Sequence, residues 1–141
     1  MLSDGLYNFL KTNGGVSALV ASRIYPLIIP QSVYSEASKQ PCLVYSIDTD
    51  DRILHYDGSE KLVTGRLQID CYARSYSASQ NLAAAVRAAL VDYSGSMVSN
   101  TSPATATAVQ RVFLDGEVSL TDEEPGLYRV MQRYVIWYDE T

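Results

Sequence analysis

The stretch KLVTGRLQIDCYARSYSASQNLAAAVRAALVDY, Lys61 to Tyr93, decides the fold. Its first part alternates: Val63, Gly65, Leu67, Ile69 and Cys71 fall on one side, and Thr64, Arg66, Gln68, Asp70 and Tyr72 on the other. A period of two is that of a strand with one buried face. The turn Ala73 to Tyr76 then leads to Ser77-Ala-Ser-Gln80, a capping-box pattern that predicts a helix from Ala78. Leu82, Val86, Ala89, Leu90 and Tyr93 recur at spacings of three and four, and the alanines between them favour helix and close approach to a sheet. Burying Leu82, Val86 and Leu90 contributes about 1.5 to 3 kcal/mol apiece. The unit is a scaffold and carries no obvious chemistry.

Working outward, Leu2, Leu6, Phe9 and Leu10 share a helical face, with Ser3 or Asp4 as cap and Asn13-Gly14-Gly15 as stop. Val16 to Ala21 is compatible with another turn or two. Pro26 forbids helix continuation, so a short edge strand is expected from Ile24 to Ile29, followed by a polar loop from Pro30 to Gln40. Cys42 to Ile47 reads as a central strand with Leu43, Tyr45 and Ile47 on one side. Asp48 to Glu60 reads as a long functional loop with Ile53 and Leu54 exposed. Ser94 to Thr107 reads as a flexible insertion. Val109 to Leu120 and Leu127 to Tyr138 are expected to form an antiparallel hairpin across the acidic turn Thr121 to Gly126.

The last strand carries large side chains on both sides: Met131, Val135 and Trp137 on one, Val130, Tyr134, Ile136 and Tyr138 on the other. It is either central and doubly buried or meets another chain. The expected architecture is a single α+β domain over residues 1–141, with two helices on a mainly antiparallel sheet of four or five strands.

Among 141 residues the net charge is −5, which disfavours a surface that grips phosphate backbones. Arginine outnumbers lysine eight to three, and eleven residues are tyrosine. Both features suit a protein interface, and the tyrosines equally suit a sheet. Cys42 and Cys71 lack metal-ligand neighbours and read as buried thiols. The N-terminus lacks the basic and apolar segments of a secretory signal, and the alanine-rich helix is too short to span a bilayer, so no membrane partner is expected.

His55 is the sole histidine. Catalysis through it would draw on Asp57 and on Cys71 if that lies near in space, but no nucleophile elbow is present, and a solvated loop histidine is the default. Asp48, Asp50 and Asp51 invite a calcium reading, yet Ile53 stands where that loop wants glycine and Ser59 where it wants glutamate. No cofactor or phosphate-cradle motif is found. A small ligand-binding or hydrolytic domain using the Asp48 to Asp57 loop is the alternative function.

The order of segments resembles the tail terminator and tail-to-head joining proteins of long-tailed bacteriophages and prophages. The residues that carry the likeness are the N-terminal helix with Ser22-Arg-Ile-Tyr-Pro26, the opener Gln40-Pro-Cys-Leu-Val-Tyr45, Arg66 to Ala73 leading through Tyr76 into the helix ending Arg87-Ala-Ala-Leu90, and Tyr128 to Tyr138. The resemblance implies a non-enzymatic virion protein, assembled in the host cytoplasm, that forms a hexameric ring on the tail tube protein. That ring stops tube polymerisation and meets a head-tail connector or stopper protein, and DNA passes through it without specific binding. A closed ring requires one surface of each subunit to meet a different surface of the next. The candidate subunit or partner surfaces are Ile24 and Tyr25 at the sheet edge, Arg129, Arg133, Tyr134 and Trp137 on the last strand, and Asp50, Asp51, Arg52, Ile53, Leu54, His55 and Tyr56 in the long loop.

Overall fold

The computed structural model describes residues 2–20, 23–27, 41–55, 58–98, 106–121 and 128–139. Three helices, α1 (Leu2–Thr12), α2 (Gly14–Val20) and α3 (Tyr76–Leu90), join six strands: β1 (Ile24–Pro26), β2 (Cys42–His55), β3 (Gly58–Ala73), β4 (Gly95–Val98), β5 (Ala106–Thr121) and β6 (Tyr128–Asp139). The strands make one sheet in the order β1-β2-β3-β6-β5-β4. All neighbours are antiparallel except β1 and β2, which run parallel. The fold is therefore α+β as expected, with one more helix and at least one more strand among the described residues.

The helices cover a single face of the sheet. Alternation in β3 sends Leu67, Ile69 and Cys71 beneath α3, whose Leu82, Ala83, Val86 and Leu90 are fully buried there. Leu6 and Leu10 of α1 and Val16 and Val20 of α2 complete the same core. Gly5 lets α1 lie directly on β4, since a Cβ there would stand 2.7 Å from the Met97 carbonyl oxygen.

Several boundaries differ from those expected. Helix α3 starts at Tyr76, because Ser75 is its N-cap and accepts from the Ala78 amide at 3.1 Å. Gln80, freed from a capping box, donates to Ser119 Oγ at 2.9 Å and ties the helix to β5. Asn13 ends α1 and also begins α2, its Oδ1 accepting from the amides of Gly15 and Val16 at 3.1 and 3.2 Å.

The Asp48 to Glu60 segment is mostly strand. β2 and β3 stay paired to His55↔Gly58, with irregularities at Thr49/Asp51 and Arg52/Leu54. Those interruptions break the alternation and made a hairpin read as a loop. Part of the Ser94 to Thr107 segment is likewise strand: Gly95 to Val98 pairs with Ala106 to Val109. The expected loop Pro30 to Gln40, the acidic residues Asp122 to Glu124, and Tyr56 and Asp57 lie outside the described residues.

Candidate assembly surface

The two faces of the sheet are finished differently. On the helix side, Gln132 of β6 is wholly buried, and its polar atoms are all engaged. Its Nε2 donates to the Ala83 carbonyl at 3.0 Å and to Glu117 Oε1 at 2.8 Å. Its Oε1 accepts from the Tyr134 hydroxyl at 2.9 Å and faces the Cys71 thiol at 3.9 Å. Glu117 in turn pairs with Arg87 of α3. Burial, more than any neighbouring charge, raises the pKa of Cys71 and of Tyr134. The cluster holds helix to sheet, and the Cys71 thiol and Tyr134 hydroxyl within it stay neutral at physiological pH.

No helix among the described residues covers the other face. Register places Val44, Asp70, Met131 and Val118 in one row across β2, β3, β6 and β5. Ser46, Gln68, Arg133 and Gly116 make the next row. In the row beyond, Arg66, Val135 and Phe113 are neighbours, and Thr64, Trp137 and Arg111 follow. Phe113 and Val118 are 45 % and 46 % exposed, while Met131, Val135 and Trp137 are half-buried. Large apolar groups with water on one side are what a docking face offers.

Arginine and tyrosine frame this apolar centre. The Arg129 guanidinium lies 5.9 Å from the centre of the Tyr72 ring and donates to its hydroxyl at 3.4 Å. Tyr72 joins Cys42, Val44 and Tyr25 in a small second cluster. Arg111 lies over Phe113 at 5.6 Å and pairs with Asp92 at 3.2 Å. Arg66, Arg133, Ser46, Gln68 and Asp115 line an open cleft of about 210 Å³.

Asp70 sits within this surface at 9 % exposure. Gln68 Nε2 approaches its Oδ2 at 3.5 Å, but its Oδ1 has no hydrogen-bond partner. Burial raises the Asp70 pKa above the ordinary carboxylate range, opposed by the Arg129 charge and the contact from Gln68.

The structure thus sorts the residues singled out from sequence. Tyr25, Arg129, Arg133 and Trp137 share the uncovered face, as their strand positions show. Tyr134 and Ile24 point into the helix-covered core, at 1 % and 2 % exposure. Asp50 to His55 occupy the outer part of β2, and Tyr56 lies outside the described residues. His55 is at the hairpin end and Cys71 pairs with Leu43 at the other, roughly 40 Å away along the strand, so the two cannot form a catalytic pair. Cys42 and Cys71 face opposite sides of the sheet, and Cys42 is pushed up to about 11 by burial, against the Arg23 charge. Among the described residues no group of three or more His, Cys, Asp or Glu could hold a metal ion. No helix among them is long and apolar enough to cross a membrane. Sequence reasoning missed Asp70, Gln132, Phe113 and Val118; a charged or amide side chain amid an alternating strand was the available signal.

The model of the family tail completion protein gp17 matches residues 4–139. The chain belongs to this family. Tail completion proteins are structural components of the phage virion, and this one takes its place in the tail. Among solved structures, one chain of the "Virion of native gene transfer agent (GTA) particle" shares the fold, with a TM-score of 0.67 at 16 % identity. The match covers 95 % of this chain and 91 % of that one. No curated protein matches the sequence.

Proposed function

We propose that this protein, acting as a single tail-terminator-like domain, forms a closed ring on the end of the tail tube. The ring ends tube polymerisation and presents its far side to the head connector or stopper. The observation that carries the reading is the uncovered apolar and arginine-bearing face on a tail completion chain. A face of that composition is costly to leave in water and useful between subunits.

The β2–β3 hairpin supports a second contact. The β3–β6 pairing stops at Leu62↔Asp139, whereas β2 and β3 stay paired to His55↔Gly58. The hairpin therefore extends beyond the rest of the sheet by roughly 13 Å, at about 3.3 Å per residue. Its sequence Asp50-Asp-Arg-Ile-Leu-His55 combines charge with apolar groups, which suits an arm that reaches the tube or the head-side ring. If the arm lines the channel, its aspartates repel DNA and keep it from lodging there.

Light scattering and negative-stain imaging of the purified protein, with and without tail tube ends, test the reading. Hexameric rings, formed alone or only on tubes, are expected. A monomer indifferent to tubes would overturn it. In phage carrying Asp50→Lys and Asp51→Lys together, slowed DNA ejection is expected of a luminal arm, and unchanged ejection removes the arm from the channel.

A further inference from the structure

We propose that helix α1 and Tyr93 guard the free edge of β4, and that without them this edge pairs with the β4 edge of a second copy. The association so prevented is separate from the ring and does not rest on it.

An edge strand presents backbone groups that a foreign strand can join, so a subunit that stays separate has to blunt both edges of its sheet. Among the described residues the sheet ends in β1 on one side and β4 on the other. β1 is protected by its own sequence, being three residues long and closing on Pro26, which has no N–H to offer. β4, Gly95-Ser-Met-Val98, has neither a charge nor a proline, and all of its residues but Met97 are exposed. Its protection must come from elsewhere in the chain.

The carbonyls of successive strand residues point alternately toward β5 and away from it, so Ser96, Met97 and Val98 together include the free side. The Ser96 oxygen accepts from the Tyr93 hydroxyl at 3.0 Å, and the Val98 oxygen accepts from Asn8 Nδ2 at 2.9 Å. Between them the Met97 carbonyl lies against Gly5 of α1, where no side chain fits. Two further features hold these guards in place. The Tyr93 ring packs on Phe9 of α1, with centroids 4.5 Å apart. Gly95, at a φ of 145°, leaves room for the Tyr93 hydroxyl, since a Cβ there would stand 3.1 Å from its oxygen. All three carbonyls are bonded or covered from within the subunit, and an incoming strand would have to displace α1 or Tyr93 to reach them.

Wild type, Asn8→Ala, Tyr93→Phe and the double variant are compared without tail tubes, by native-state hydrogen exchange of the dilute subunit and by light scattering over a concentration series. Each single substitution removes one bond to β4, so the amides of residues 95–98 are expected to exchange roughly tenfold faster than in wild type. The concentrated double variant is expected to form a species absent from wild type, in which the β4 amides are slow again because two edges have paired. Unchanged exchange in both single variants would overturn the guard. A double variant that keeps the size of wild type, or one that associates with its β4 amides still fast, would overturn pairing through this edge. Should the double variant fail to fold, Tyr93→Phe, which keeps its ring against Phe9, supports or sinks the proposal by the same two readings.

Discussion

Gln132 and Asp70 stand one row apart on neighbouring central strands, both buried and both polar, on opposite faces of the same sheet. Under the helices, Gln132 binds Ala83, Glu117 and Tyr134 and ties three elements together. On the open face, Asp70 has one weak contact and an idle oxygen. The difference teaches where the molecule is complete on its own. The helix-covered face holds the subunit together, and the other face leaves Phe113 and Val118 about half exposed.

Substitutions under the helices are the most direct way to break that contrast. Leu82 is buried against the sheet, so Leu82→Ala is expected to cost about 3 kcal/mol in urea unfolding, from lost burial and the cavity left behind. A loss under 1 kcal/mol would mean that α3 is not the main cover. Gln132→Leu takes the acceptor from the buried Tyr134 hydroxyl and one of two donors from Glu117, and is expected to cost about 2 kcal/mol. Ser75→Ala removes the α3 cap, with an expected cost of about 1 kcal/mol in the same assay.

On the open face the effects on the subunit are smaller, and their sign is the informative part. The raised Asp70 pKa means that the folded state holds this proton more tightly than the unfolded chain. Its contribution is therefore fully present below the ordinary carboxyl range and lost as pH rises through the raised value. A plot of subunit stability against pH should fall across that interval more steeply for wild type than for Asp70→Asn. Parallel profiles would sharpen the comparison by showing that Asp70 is solvated after all. Val118→Ser is expected to change subunit stability by no more than about 0.5 kcal/mol, because the side chain is half in water already.

Much of this contrast was legible in the sequence. The alternation from Val63 to Tyr72 and the three-four spacing from Leu82 to Leu90 are periodic signals, and the structure places those residues accordingly. The outer part of β2 was not legible, since two register shifts and an acidic run disguise the pairing. Strand β4 was missed because Gly95 and Ser96 have little strand preference, and Met97 is its sole fully buried side chain. The last strand was read correctly as two-faced, but which face met the helices depended on long-range register that no local pattern carries. Tyr134 looked like an interface residue for that reason and proved to be core.

The central claim, that subunits assemble through the uncovered face, is tested most directly by comparing ring formation in Arg133→Glu with that in Ala84→Glu. Arg133 is exposed on the open face, and Ala84 is exposed on α3. Light scattering in the presence of tail tube ends should find Arg133→Glu folded but unable to form rings, with Ala84→Glu assembling like wild type. Rings from Arg133→Glu, with assembly lost in Ala84→Glu, would move the interface to the helical side and contradict the account.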